Sequence, residues 1–300
     1  MTAGDWSTRR ARLPAWLRRP VPPEARAARV ARTLGQLNLP TVCNSAKCPN
    51  RAECFARGTA TFMILGDLCT RNCRFCAIPG GRPGRVDPTV PGAVADAVQR
   101  LDLRHVVITC VTRDDLPDGG AAHFAQTITA VRMRRPDAVI EVLTSDFGGS
   151  RDAIATVVDA GPDVFNHNVE TVPDLYARAR PEADYQRSLA VLRAARELAA
   201  DHGVTLYTKS GLMLGLGETT EQVRDVLRDL RAAGCDIVTL GQYLAPSPDH
   251  LPIARFVTPA EFDALGSEAR ATGFAAVASG PFVRSSYLAE SLFNSMQRDG

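Results

Sequence analysis

The chain has 300 residues, is 45% hydrophobic, and carries 35 basic against 33 acidic residues for a net charge of +2. That hydrophobic content supplies a sizeable core, and so even a charge balance gives no basis for bulk attraction to nucleic acid or to a membrane surface. No apolar run approaches the ~20 residues that span a bilayer, and the N-terminus lacks the apolar stretch of a secretory signal, so a bacterial cytoplasmic protein is expected.

In chain order, residues 1–59 show little strand character, and Pro20–Pro23 separates an arginine-rich lead from a weakly helical stretch at 24–37. The segment 9–32 also suits a transit peptide, but Asp5, Glu24 and the prolines Pro20, Pro22 and Pro23 argue against it. From about residue 60, short β-branched or apolar runs alternate with amphipathic stretches, the pattern of βα units around a parallel sheet. Strands are expected at 61–65, 105–109, 139–144, 164–168, 205–214 and 236–240.

The helices between them carry apolar residues three or four apart, such as Leu189, Leu192, Ala195 and Ala199, and should coat the sheet. Thr219 with Gln222, and Thr258 with Pro259 and Glu261, each fit a capping box that satisfies free backbone donors. Six units are too few for the eight-stranded closed barrel. The expected fold is therefore α/β, an open (βα)6 partial TIM barrel with N-terminal and C-terminal extensions and functional groups at the strands' carboxyl ends. The expected division is an extension at 1–59, a barrel core at 60–257 and a closing segment at 258–300.

Eight cysteines point to metal or redox chemistry more than to disulfides. Directly after the first strand, Cys69, Cys73 and Cys76 are spaced C-x3-C-x2-C. Three thiolates on a four-iron cluster leave one iron without a protein ligand, whereas an electron-transfer cluster normally has four cysteines. A zinc site would want four closed ligands, and a redox Cys73/Cys76 pair would ignore Cys69. Upstream, Cys43, Cys48 and Cys54 form a second triplet, C-x4-C-x5-C. On its own that triplet also suits a zinc knuckle; beside the first it implies another three-legged cluster.

The C-x3-C-x2-C loop resembles that of the radical S-adenosylmethionine (SAM) superfamily. The two triplets in this order, with Cys48-Pro49-Asn50 and Glu53-Cys54 in the first, resemble lipoyl synthases, from Leu13-Pro14-Ala15-Trp16-Leu17 to Arg284-Ser285-Ser286-Tyr287. The family more often has serine where this chain has Cys110. This resemblance implies two 4Fe-4S clusters and SAM as co-substrate. Cys69, Cys73 and Cys76 would hold the cluster that cleaves SAM to a 5′-deoxyadenosyl radical. Cys43, Cys48 and Cys54, with Ser286 rather than Ser285 as the fourth ligand, would hold an auxiliary cluster that is spent as the sulfur donor. A serine alkoxide is a hard donor that should leave iron more readily than thiolate. Without the cysteines, Arg284–Tyr287 would read as a polar turn.

Further site residues follow from the same resemblance. Gly211-Leu212-Met213-Leu214-Gly215-Leu216-Gly217-Glu218 resembles the element that touches adenine, where glycines admit a flat ring, although a strand-to-helix turn alone would explain Gly215 and Gly217. Gly119-Gly120 falls where the superfamily places its methionine-amine loop; the alternative is an acidic loop capping the helix from Ala121. Asn166, Asn168 and Glu170 should share one strand face, and Asn168 and Glu170 are candidates for SAM's ribose and amino-acid groups. His167, on the other face, reads as structural. Phe75, Thr109, Lys209 and Met213 complete the expected SAM contacts, a snorkelling surface lysine being the other reading of Lys209. Arg180, Tyr185 and Arg187 are weaker candidates, and neither Cys110 nor Cys235 is assigned to a cluster.

The reaction implied is insertion of two sulfur atoms at carbons 6 and 8 of a protein-bound octanoyl-lysine. Expected partners are octanoylated lipoyl-carrier domains (2-oxoacid dehydrogenase E2 subunits and the glycine cleavage H protein), a flavodoxin- or ferredoxin-type electron donor and an iron–sulfur carrier protein, with neither nucleic acid nor membrane. A methylthiotransferase or biotin synthase relative and a non-catalytic iron–sulfur carrier are the alternatives. The first usually adds a nucleic-acid-binding module; the second leaves the glycine elements and Arg284–Tyr287 unexplained.

Overall fold

A computed structural model describes residues 13–18, 24–57 and 59–296. Residues 1–12 of the arginine-rich lead, with Arg19 and Pro20–Pro23, lie outside the described residues. Seven parallel strands pair in sequence order: β1 (Thr61–Met63), β2 (His105–Thr109), β3 (Val139–Leu143), β4 (Val164–Asn166), β5 (Tyr207–Leu214), β6 (Ile237–Gln242) and β7 (Ala276–Gly280). Each of the six expected runs forms a strand; 105–109 keeps its bounds and the other five are trimmed or extended by one or two residues at their ends. Their near-continuous burial, complete in β1, β2, β4 and β6, is what a parallel sheet covered on both faces requires.

Helices fill the crossovers, among them Val90–Leu101, Ala121–Arg134, Tyr185–Asp201 and Thr220–Ala232. Leu189, Leu192, Ala195 and Ala199 are buried as expected. Both capping boxes form: Thr219 accepts from Gln222 N at 3.2 Å and Thr258 from Glu261 N at 3.3 Å, with the reciprocal side-chain bonds present.

The seventh strand was not expected. Ala-Val-Ala-Ser-Gly carries little β-propensity; it is held by its pairing with β6 from Ile237↔Ala276 to Gly241↔Gly280. Among the described residues β1 and β7 have one strand neighbour each, so the barrel stays open. At the β1 edge, Glu24–Gln36 and Arg51–Ala56 pack together, and Thr41 bridges Phe62 in antiparallel sense. Val30, Leu34 and Phe55 of this layer belong to the same apolar core as Phe62, Val94 and Ile108.

Beyond β7 the chain turns back towards the amino ends of the strands. In the helix Ala289–Met296, Phe293 stands edge-on to His105 at 5.9 Å and to Tyr207 at 5.7 Å. Phe293 and Met296 cluster with Val164, Ile237 and Ala276, the first residues of β4, β6 and β7. This helix therefore floors the barrel at the end opposite the functional loops. Among the described residues no helix is long and apolar enough to cross a membrane.

Candidate active site

β1 hands the chain to the loop of the C-x3-C-x2-C triplet. Cys69 N donates to Pro79 O at 3.0 Å and Cys69 O accepts from Gly81 N at 2.8 Å, while Cys76 N closes a turn onto Cys73 O at 3.0 Å. From the loop after β6, His250 Nε2 meets Cys76 O at 3.0 Å and Leu251 N donates to Arg74 O at 3.0 Å. Burial pushes the Cys73 thiol up to about 12 and Cys76 to about 11; Arg180 draws Cys73 back, while both feel Glu170 and the Cys69 sulfur. Thiols so placed keep their protons until a cation displaces them.

In the other triplet Cys43 and Cys54 stand on two short helices, Val42–Ser45 and Arg51–Ala56, the first capped by Thr41, with Cys48 in the turn between them. Burial, then repulsion from Cys43, Cys48 and Glu53, pushes Cys54 up to about 12, and burial raises Cys43 as well. The C-terminal segment reaches this layer through two bonds. Asn50 Nδ2 donates to Phe282 O at 2.6 Å, and the Tyr287 hydroxyl donates to Glu53 Oε1 at 3.0 Å. A third bond ties it to the barrel, Asn168 Nδ2 donating to Ser285 Oγ. Ser285 is thereby engaged, whereas the Ser286 hydroxyl makes no hydrogen bond among the described residues.

These elements enclose one cavity of about 470 Å³. Cys43, Cys48, Cys54, Ser285 and Ser286 form one side, and Phe75, Cys76, Asn168, Glu170 and Met213 line it from the barrel. Glu170 has a left-handed backbone, φ 66°, unusual for a non-glycine. Its N–H donates to Gly211 O at 3.0 Å and its carbonyl accepts Met213 N at 2.8 Å, which pins the carboxylate into the wall. Burial raises the Glu170 pKa, and Arg180 and Asn168 oppose that rise. Asn168 Oδ1, buried, has no partner among the described residues and lies against the bare Cα of Gly211.

Other expected contacts fall elsewhere. Thr109 spends its hydroxyl on Leu143 O at 3.0 Å and is not part of the cavity wall. Lys209 is buried, with Nζ on Glu141 Oε1 at 2.8 Å and Oε2 at 3.0 Å; Asn166 Nδ2 bonds the same carboxylate at 2.9 Å. It is neither a surface lysine nor a wall residue. Gly119 and Gly120 are also outside the wall: Asp118 accepts from Gly120 N and Ala122 N, so this loop caps the following helix. Tyr185 bonds Asp229 and Arg187 meets Asp146, away from the cavity, whereas Arg180 donates to Asn168 O at 3.0 Å. His167 is buried against Thr144 O, and burial lowers it to about 4, a neutral structural histidine. Burial pushes Cys110 and Cys235 up to about 12, leaving neither thiol reactive.

Three roles escaped the sequence. Glu218 was named only as the end of the glycine element; its carboxylate accepts from the backbone N–H groups of Gly215, Leu216 and Gly217 and so shapes the glycine turn after β5. Asn50 and Glu53 hold the C-terminal segment; only their places inside the first triplet pointed to them.

The residues fit the groups that the resemblance implies. Among the described residues no three such side chains close on one metal-ion position, and a cluster whose irons are ligated one by one does not require it. The sulfurs within each triplet lie near enough to perturb one another. Asn168 Oδ1 offers an unsatisfied acceptor at the cavity.

Close approach of the C-terminal segment depends on Gly241, where an added Cβ would stand 2.0 Å from Val283 O, a backbone atom that cannot yield without moving the segment. Gly241→Ala is expected to displace Ser285 and Ser286. On the two-cluster reading that the resemblance implies, iron content should fall towards that of one cluster while SAM cleavage persists; analysis of iron and of 5′-deoxyadenosine checks this.

Residues 63–230 match the model of the radical SAM superfamily. The chain is 54% identical over 280 residues to a lipoyl synthase of Desulfotalea psychrophila, covering 93% of this chain and 92% of that one. It is 55% identical over 280 residues to a lipoyl synthase of Methylococcus capsulatus, covering 93% and 86%. Its fold is similar to that of the FeFe-hydrogenase maturase HydG from Carboxydothermus hydrogenoformans, with TM-score 0.54 and 15% identity over 79% of this chain and 65% of that one. It is likewise similar to Streptococcus suis SuiB bound to S-adenosylmethionine, with TM-score 0.54 and 10% identity over 74% and 50%. With more than half of its residues shared with curated relatives along nearly the whole of each chain, the chain belongs to the lipoyl synthase family of the radical SAM superfamily.

Proposed function

We propose that the chain converts a protein-bound octanoyl-lysine to lipoyl-lysine by inserting sulfur at carbons 6 and 8. It would act in the cytoplasm on octanoylated lipoyl-carrier domains of 2-oxoacid dehydrogenases and the glycine cleavage system, with a flavodoxin- or ferredoxin-type electron donor and an iron–sulfur carrier protein. Residues 1–59 carry the auxiliary triplet, 60–257 the barrel core, and 258–300 the segment that closes the auxiliary site. The observation that carries this reading is that Cys76 from one triplet, Cys43, Cys48 and Cys54 from the other, and Ser286 all line one and the same cavity.

An unactivated methylene or methyl C–H has no acidity for a general base to exploit, so acid–base catalysis cannot begin the reaction. When bound, the cluster on Cys69, Cys73 and Cys76 supplies reductive cleavage of SAM, and the cluster on Cys43, Cys48, Cys54 and Ser286 supplies sulfur. Around them the chain's own groups orient and enclose. Asn168 offers its free Oδ1 and Glu170 its carboxylate to polar groups of SAM. Phe75 and Met213 give the cavity apolar wall, suited to an adenine ring and an alkyl chain. Asn168, Asn50 and Glu53 hold the segment bearing Ser286 over the opening, which keeps water from a reactive radical.

The test is anaerobic: reconstituted protein is incubated with SAM, dithionite and an octanoyl-lysine peptide, and products are weighed. Formation of 5′-deoxyadenosine with a mass gain of two sulfurs is expected; absence of both sinks the reading. In a parallel arm, Ser286→Ala is expected to keep SAM cleavage while sulfur insertion falls sharply. Undiminished lipoyl formation would move the ligand role from Ser286 to Ser285 or elsewhere.

A further inference from the structure

We propose that Arg71, which is no iron ligand, acts as a positioning residue that sets the reduction potential of the cluster held by Cys69, Cys73 and Cys76; this rests on reading those thiols as its ligands. Arg71 lies between the first two cysteines, and its side chain is only 6% exposed. The guanidinium forks onto two carboxylates at once. Nε and Nη2 donate to Asp114 at 2.8 Å each, and Nη1 and Nη2 to Asp146 at 2.9 and 2.7 Å.

Asp114 belongs to the loop after β2 and Asp146 to the loop after β3, so one side chain ties the triplet loop to the carboxyl ends of two neighbouring strands. Thr70 adds to this tie, its hydroxyl donating to Thr112 O at 3.1 Å and accepting Asp114 N at 3.0 Å. Asp146 is fully buried. Burial alone would raise it, but Arg71 holds it well below the usual carboxylate range, at about 2. Arg187, at 3.4 Å from Asp146, brings a second positive charge, so the group is nearly neutral as a whole.

The consequence reaches the cluster through the backbone. The N–H of Arg71 donates to Cys69 Sγ at 3.4 Å. A hydrogen bond to a ligand sulfur draws electron density from it, favours the reduced cluster and raises its potential. That N–H can face the sulfur only while the Arg71 backbone is fixed, and the doubly forked side chain is what fixes it. Lysine keeps the positive charge but has no planar fork for two carboxylates, so Arg71→Lys separates geometry from charge.

The experiment is a redox titration of the holoenzyme followed by EPR, reading only the reduced-cluster signal that changes when SAM is added. Arg71→Lys is expected to move its midpoint to a more negative potential. Asp114→Glu keeps the charge, displaces one fork at a half-exposed position and should move it the same way by less, which covers the case in which Arg71→Lys fails to fold. The signal that SAM leaves unchanged should titrate as in the wild type. Wild-type midpoints in every variant that folds would overturn the proposal. A wild-type protein in which SAM alters no signal would instead overturn the assignment of the triplet.

Discussion

Cys73→Ala is expected to abolish 5′-deoxyadenosine formation, whereas Cys54→Ala keeps it within about threefold of wild type and abolishes only sulfur transfer. The two thiols are comparably buried and both are pushed up to about 12, yet they belong to different supports. Cys73 sits in the loop bound to the strand ends and adjoins Arg180 and Glu170. Cys54 sits on a short helix beside Glu53, which holds Tyr287. Product analysis under dithionite reads both quantities from one incubation. Loss of SAM cleavage in Cys54→Ala, with iron retained at the other triplet, would overturn the division of labour between the triplets.

Lys209→Met is expected to destabilise the protein by about 3–5 kcal/mol, because it leaves the Glu141 carboxylate buried without its counter-charge. Lys209 and Glu141 are each 1% exposed. Burial raises the Glu141 pKa, but Lys209 and His105 outweigh it and hold the carboxyl at about 2. Its folded pKa therefore lies below its unfolded value, so this pair's contribution is present above the unfolded pKa, about 4.3, and is lost as pH falls towards 2. In Lys209→Met the sign reverses: a buried acid with no cation prefers its proton, so the deficit against wild type should shrink as pH drops from 7 to 5. Lys209→Met combined with Glu141→Gln should recover most of the loss, since neither charge is then stranded. Urea unfolding at the two pH values measures all three effects. If Lys209 served SAM instead, stability would hold and SAM binding would weaken.

Lys209 also marks where sequence reading stopped. Alternation along β5 places it inward, and apolar runs, capping boxes and turn glycines sufficed to draw six strands and most of the helices. Its partner depends on the registers β3–β4 and β4–β5, which pair Asn166 with Lys209 and leave Glu141 two residues earlier on the same face, within side-chain reach across 68 positions of sequence, and a periodicity of two says nothing about register. Thr109, expected as a SAM contact, stands outside the cavity wall for a similar reason: its hydroxyl finds a carbonyl on the next strand. β7 was missed because small residues carry no strand signal of their own, only that of a neighbour. The cysteines were legible because close spacing in the chain forces closeness in space. Asn50, Glu53 and Asp146 were not, since their partners lie far away along the chain.

That separation along the chain has a counterpart in time. Cys69, Cys73 and Cys76 stand within one loop, which gains its last ties when His250 and Leu251, beyond β6, reach Cys76 O and Arg74 O. The bond from Tyr287 to Glu53 joins positions 234 apart, and Ser286 belongs to the same segment. At synthesis rates of about 5–20 residues per second, the thiols of Cys43, Cys48 and Cys54 emerge on the order of ten to fifty seconds before Ser286 is made. Through that interval they lack the segment that Asn50 and Glu53 later hold, and stand open to oxidation. Chain growth thus delivers the segment that Asn50 and Glu53 hold after the residues that tie the loop of Cys69, Cys73 and Cys76, and leaves the first triplet to emerge as the last to be enclosed.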